Sequence, residues 1–323
     1  MLYDNTFQIK EHYDNISIDV AIDSNSILVI MCLWKRISYL KNTLKYLENQ
    51  HVGKSITLCI WNNNFELKHD IDVIIQNFRC EKLRIVVHHS LENIGGIGRF
   101  VMTKYICEQK HNFENVIFID DDQIIRDNFV TILLDNKIQG SGFHWYGRKF
   151  YNDKLYWDSW LTRRNTERND YDYTNFNKNL LDYGGTCGMI IDTECFLLDD
   201  FYNFNIKYQF VEDLWMSYYV INKLGYKLFN GYEKLRYSIS NMLNVCDDSN
   251  AQWRILKPTK DIFLKALITE GNWTLNTNNM DKNVNEEKLW VVPSPRQTLV
   301  FRMNSVGDNR INFGNATAQN AKL

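Results

Sequence analysis

Seven residues, Val116 to Asp122 (VIFIDDD), constrain this chain more than any other stretch. Four apolar residues, most of them β-branched, run directly into three carboxylates. A short continuous apolar run of this kind reads as a strand buried on both faces. Side chains alternate along a strand, so Asp120 and Asp122 are expected on one side and Asp121 on the other. Two carboxylates side by side at the end of a buried strand are costly unless a cation neutralises them. A hard divalent ion, Mg2+ or Mn2+, suits them because it prefers oxygen ligands and bridges carboxylates to phosphate oxygens. The bland alternative is a solvated acidic turn, since Asp is common in turns.

The stretch has company. Ser26 to Leu33 and Ile56 to Trp61 are further buried-strand runs, and Leu83 to Val87 is another. Ile37, Leu40, Leu44 and Leu47 recur at helical spacing, so 37–50 reads as an amphipathic helix. Ile71, Ile74, Ile75 and Phe78 mark a short helix face, and a helix to about Gln109 follows the glycines at 95–98. Strands alternating with helices predict an α/β fold with a mostly parallel sheet flanked by helices. Ligands in such sheets bind at the carboxyl ends of the strands. Here those ends carry Trp34-Lys35-Arg36, Asn62 to Asn64, a glycine loop and the acidic triplet. That rim suits a nucleotide diphosphate with a metal better than an apolar ligand.

The loop Gly95-Gly96-Ile97-Gly98-Arg99 matches neither a dinucleotide fingerprint nor a Walker loop. It precedes a helix, where backbone N–H groups favour anions, and Arg99 adds a charge. Phosphate or ribose contact through Gly96 and Arg99 stands beside the alternative of a tight structural turn.

Beyond the triplet the pattern changes. Asp127 is placed to cap a helix through Asp135. Residues 142–162 are dense in aromatics and read as antiparallel strands, a small second part of the fold. Residues 163–179 are charged and Asn-rich, hence a loop. Glu212 and Asp213 open a helix that ends at Gly225. Acids there complement the helix dipole, or supply a general base near a reacting centre. Residues 274–287 read as a linker, and the tail after 288 carries short β-like runs.

Composition sets the remaining bounds. The 323 residues are 45% hydrophobic, enough for a sizeable core, and the net charge of −2 gives no basic footprint for nucleic acid. No apolar run is long enough to span a membrane, and the first 25 residues are polar and acidic. The expectation is a soluble, cytoplasmic protein. Seven scattered cysteines without a CxxC pair predict neither a disulfide framework nor structural zinc.

Together these pieces resemble a nucleotide-sugar glycosyltransferase of the GT-A fold, most like family 2, over roughly residues 26–225. The resemblance rests on an ordered set: Lys41-Asn42-Thr43-Leu44 with Gln50, then Asn62 to Asn64, the acidic triplet, and Glu212-Asp213. It implies a glycosyltransferase domain over 1–273, with a nucleotide-binding half at about 26–122 and an acceptor half at about 123–273. Asp120 and Asp122 match the family's DxD, which holds Mn2+ or Mg2+ against the donor diphosphate, with Asp121 facing ribose or sugar. Asp213 resembles the base of inverting members, with Glu212 as its neighbour. Asn62, Asn63 and Asn64 fall where the family carries an acid that contacts the base. Gly185 and Thr186, with Trp145 and Trp215, fall in the parts that line sugar and acceptor. The implied partners are a nucleotide-sugar donor, UDP-sugar favoured, and a glycan or glycoconjugate acceptor. No His follows His144, so a metal-binding His beyond Asp213 is absent, and Asp247 or Asp248 are candidate substitutes. Trp61-Asn62-Asn63 also looks somewhat like a retaining exostosin-type family, which leaves the stereochemistry open.

Two other classes compete. A sugar nucleotidyltransferase shares the sheet and the metal, but usually carries a Gly-rich N-terminal signature that residues 26–36 lack. A non-catalytic carbohydrate-binding GT-A-like module would use the aromatics of 143–160 to stack on sugars. The acids at 120–122 and 213 argue against it.

Overall fold

The computed structural model describes residues 2–18, 22–109, 113–151, 155–157, 159–161, 179–242 and 255–276. Most of the charged stretch 163–179, Asp247, Asp248, most of the linker and the whole β-like tail lie outside them. The description below concerns the unit Met1–Met280.

After a short helix, α1 (Ile9–Tyr13), the alternating pattern forms as its periodicity demands. β1 (Ile27–Leu33), α2 (Ile37–Glu48), β2 (Ile56–Asn62), α3 (Lys68–Gln76), β3 (Leu83–His89), α4 (Gly98–Glu108) and β4 (Asn115–Asp120) follow in turn. β1 is apolar throughout because its pleat feeds two cores. Leu28 and Ile30 join one cluster, while Val29, Met31 and Leu33 join the other. β4 divides likewise, Val116 and Phe118 against Ile117 and Ile119. α2 lays Leu40, Leu44 and Leu47 into the second core, and each such buried Leu contributes about 2 kcal/mol. α4 packs on the opposite face, burying Phe100, Val101, Met102 and Ile106.

The chain then adds β5 (Gln123–Ile125), α5 (Phe129–Asn136), β6 (Ser141–His144), β7 (Gly147–Phe150), β8 (Ser159–Leu161), β9 (Leu180–Leu181), β10 (Tyr183–Gly184) and β11 (Met189–Asp192). α6 (Glu212–Tyr218) runs into a π turn, Tyr219–Lys223. Gly225, at φ +73°, ends it. β12 (Lys227–Asn230), α7 (Tyr232–Leu235), β13 (Ile239–Asn241) and a last helix, α8 (Lys257–Thr269), complete the described chain. The expected cap at Asp127 does not form: α5 begins after Asn128, and no side chain caps it.

Among the described residues the large sheet has eight strands in the order β3-β2-β1-β4-β11-β6-β12-β9. β3, β2, β1 and β4 are mutually parallel, and β12 is parallel to β6. β11 and β9 run against their neighbours. The predicted fold class holds: a mostly parallel sheet with helices on both faces. A three-stranded antiparallel sheet, β10-β7-β8, is the expected small second part. Of the aromatic stretch, however, β6 joins the large sheet. The register sets Asn62 opposite Leu33 and Asp120 opposite Cys32, so the strand ends form one rim.

Candidate functional site

β4 stops at Asp120, so the pleat does not continue through the acidic triplet. Two arginines sort the three carboxylates instead. Arg99, only 5% exposed, donates through Nη1 and Nη2 to Asp120 Oδ1 at 3.1 and 3.2 Å. Arg36 Nη1 lies 2.8 Å from Asp121 Oδ1 and 3.6 Å from Asp122 Oδ2. Asp121 therefore shares a cation with Asp122, where simple alternation sets it apart. Burial pushes the Asp121 carboxyl upward, and Arg36 opposes that shift. Asp120 and Asp122 remain partly open, with side-chain exposures of 36% and 16%.

The glycine loop is shaped by contact. Gly95 adopts φ +68°, and Gly98 lies against the Trp61 indole, where a β-carbon would come within 2.4 Å of Cδ1. Gly96 meets the Glu212 carboxyl. Arg99 Nε donates to the Gly96 carbonyl at 3.2 Å, and Nη1 reaches the Thr186 carbonyl at 3.5 Å. The guanidinium expected to meet phosphate is thus committed to Asp120 and two backbone oxygens. Asn63 ties β2 to this loop: its amide donates to the Gly95 carbonyl at 2.9 Å, and Oδ1 accepts from Ile94 N and Trp61 Nε1, both at 3.1 Å. Asn62 is fully buried. It holds the backbone of Asn64 through two bonds and faces His89 Nδ1 at 3.0 Å. Asn64 accepts from Glu66 N. These amides organise the rim, with Asn62 and Asn63 buried behind it.

The first turn of α6 faces the loop. Glu212 is buried, and its carboxyl is pushed up to about 7, by burial first and by Asp213 second, with Arg99 pulling the other way. Asp213 is 18% exposed. It accepts a short hydrogen bond from the Tyr183 hydroxyl, and Lys260 Nζ of α8 lies 3.8 Å from its Oδ2. Burial works against the Lys260 charge, but Asp213 together with Tyr156 and Tyr146 outweighs it, and the ammonium's pKa is raised. The pair of acids is therefore split: Glu212 towards the loop and Arg99, Asp213 towards Tyr183 and Lys260.

Gly185 and Thr186 belong to this surround. Gly185 N donates to the Tyr146 carbonyl, and the Gly185 carbonyl accepts from His144 Nδ1 at 3.1 Å. Burial pushes the His144 imidazole down to about 4, so it stands neutral. Trp145 and Trp215 lie deeper than the rim. Both are core residues, 3% and 1% exposed, and Trp215 Nε1 donates to the Phe201 carbonyl at 2.6 Å. Lys260 lies outside the sequence motifs and carries no local signal, and Tyr183 is marked in the sequence only by the glycines that follow it at 184 and 185. Among the described residues no group of three His, Cys, Asp or Glu side chains is arranged to hold a metal ion. No described helix is long and apolar enough to cross a membrane.

No family model matches the chain, and no curated protein matches it. Solved structures do. A mannosyltransferase, PcManGT from Pyrobaculum calidifontis, in complex with GDP-Man and Mn2+, aligns over 82% of this chain and 70% of its own, with TM-score 0.52 and 11% identity. S. aureus TarS 1–349 aligns over 64% of this chain at 14% identity and TM-score 0.40, and this chain spans 57% of it. The first likeness shows a shared fold.

Proposed function

We propose that this chain is a metal-dependent glycosyltransferase that moves a sugar from a nucleotide-diphosphate sugar to a hydroxyl acceptor. One observation carries the reading. Asp120, the first acid of the triplet at the end of β4, and Glu212, the neighbour of Asp213, meet around one short segment, Gly96 to Arg99, on the carboxyl rim of a mostly parallel sheet. Structural likeness to a mannosyltransferase in complex with GDP-Man and Mn2+ supports it at the level of fold.

The triplet fits a divalent ion. Asp120 and Asp122 offer hard oxygen donors that are partly open, and Mg2+-type sites commonly use one or two carboxylates plus substrate phosphates. A bound Mn2+ or Mg2+ would neutralise charge developing on the departing diphosphate. Arg99 would fix the Asp120 carboxylate, and Arg36 would hold Asp121 and Asp122. Asp213 would take the acceptor proton, with Tyr183 and Lys260 orienting its carboxylate. Attack from the face opposite the diphosphate would invert the anomer. A UDP-sugar donor and a glycan acceptor remain the favoured substrates.

A thermal-shift screen of UDP, GDP, CMP and dTDP compounds and their sugars, with and without Mn2+, tests this. A Mn2+-dependent rise with one nucleotide, lost in Asp122→Ala, is expected. No rise with any nucleotide would overturn the transferase and favour a carbohydrate-binding module.

A further inference from the structure

A relay of side chains runs from α3 to the end of β2 and enters no step of the transfer chemistry. Asn62 and His89 are direct partners across the parallel ladder of β2 and β3. Asn62 Nδ2 lies 3.0 Å from His89 Nδ1, and His89 Nε2 lies 3.0 Å from Asp72 Oδ1 on α3. The Asn62 amide is oriented independently of the histidine. Its Nδ2 donates to the Asn64 carbonyl at 2.8 Å, and its Oδ1 accepts from Asn64 N at 2.9 Å. The group facing Nδ1 is therefore a donor, so Nδ1 accepts and carries no proton. The ring proton sits on Nε2 and is donated to the Asp72 carboxylate. The hydrogen bonds thus select one neutral tautomer of His89.

The tautomer matters because of what it holds. Asn62 and Asn63 are buried, and Asn64 is the half-buried amide that reaches the surface of the rim. An imidazolium presents N–H at both ring positions. To receive the second one, Asn62 would have to turn its amide. Its Oδ1 would then face the Asn64 carbonyl and its Nδ2 the Asn64 N–H, and both bonds to Asn64 would be lost. Protonation therefore costs either the His89 bond or the hold on Asn64. Around the ring, α3 contributes the Asp72 carboxylate and the Lys68 ammonium, and β3 the neighbouring His88. The N-terminal segment adds the uncharged Asn15 and Ser17, which line one surface groove with Lys68, Asp72 and His89. Burial lowers the His89 pKa from its ordinary 6.5; Asp72 opposes the shift without cancelling it. The side chain is 10% exposed on that groove, which leaves the ring in proton exchange with water.

We propose that His89 is a positioning residue for the nucleotide donor. Its neutral Nε2–H form, held by Asp72, fixes Asn62 and through it Asn64 on the rim where the nucleotide docks. Protonation of the ring loosens that hold and weakens nucleotide binding. The link to the nucleotide rests on the transferase reading; the tautomer and the hold on Asn64 do not.

The test begins with the full chain free of nucleotide. Long-range proton–nitrogen NMR spectra should show His89 with Nε2 protonated and Nδ1 bare, the signal being identified by its absence in His89→Asn. In His89→Leu, which cannot accept from Asn62, the Asn64 amide should exchange about fivefold faster or more. In His89→Asn, whose Oδ1 takes the place of Nδ1 without titrating, the protection should survive. Equilibrium titration with UDP and with GDP, each with Mn2+, then compares about pH 7.5 with about pH 5. Wild type should lose roughly tenfold more affinity on acidification than His89→Asn, since loss common to both belongs to the phosphates and the acidic triplet. Asp72→Asn removes the carboxylate that favours the imidazolium, so its loss should begin at lower pH than in wild type. An Nδ1-protonated tautomer, Asn64 exchange unchanged in His89→Leu, or equal acid losses in wild type and His89→Asn would overturn the proposal. The tautomer and the His89→Asn comparison decide even if His89→Leu fails to fold. A chain that shows the tautomer and the Asn64 protection but binds neither nucleotide contradicts the transferase reading and leaves the hold on Asn64 standing.

Discussion

The carboxyl of Glu212 lies so close to the α-carbon of Gly96 that a β-carbon on the glycine would fall 1.6 Å from Glu212 Oε1. This contact joins the loop after β3 to the helix that carries Asp213. Gly96→Ala should therefore destabilise the fold by roughly 1–3 kcal/mol, as overpacking does. Glu212→Ala removes the obstacle. In a double-mutant cycle by urea unfolding, the cost of Gly96→Ala should shrink in the Glu212→Ala background. Additive effects would show that the two residues do not meet.

Glu212 also predicts a pH dependence. Its pKa in the fold, about 7, lies above the ordinary 4.5, so the native state binds the proton more tightly than the unfolded chain between those values. Stability falls as pH rises through that window. Glu212→Gln removes the titration, so from pH 5 to pH 8 the variant should gain on the wild type by on the order of 2 kcal/mol. Parallel stability–pH curves from urea unfolding would contradict the assignment.

Asn63 is predicted to act through the loop. Asn63→Leu removes three hydrogen bonds and leaves Ile94 N, Trp61 Nε1 and the Gly95 carbonyl unsatisfied in a buried place. A loss of about 2–4 kcal/mol is expected in urea unfolding. Amide exchange should rise at residues 94–97 before it rises in β1. Uniform exchange, or a loss below about 0.5 kcal/mol, would return Asn63 to the role of an exposed ligand contact.

Much of this arrangement was legible in the sequence. VIFIDDD marked a central strand because a two-faced apolar run has few other places to go, and Glu212-Asp213 marked a helix start. The sorting of the triplet was not legible. Alternation applies only while the strand lasts, and β4 ends at Asp120. Arg36 and Arg99 reach the acids from distant segments, which local pattern does not encode. Trp145 and Trp215 show a different limit: an aromatic at strand or helix spacing looks the same whether it packs in a core or against a sugar. Lys260 reaches Asp213 only because α8 folds back onto α6.

The most direct measurement is release of nucleoside diphosphate from the nucleotide-sugar that binds, with water as acceptor, in wild type and Asp213→Asn. The wild type should release it with Mn2+ and stop with EDTA. Asp213→Asn should show the same Mn2+-dependent thermal shift but release it roughly 100-fold more slowly or less. Release that ignores EDTA, or Asp213→Asn turning over at the wild-type rate, would contradict the assignment of metal and base to these two acidic sites.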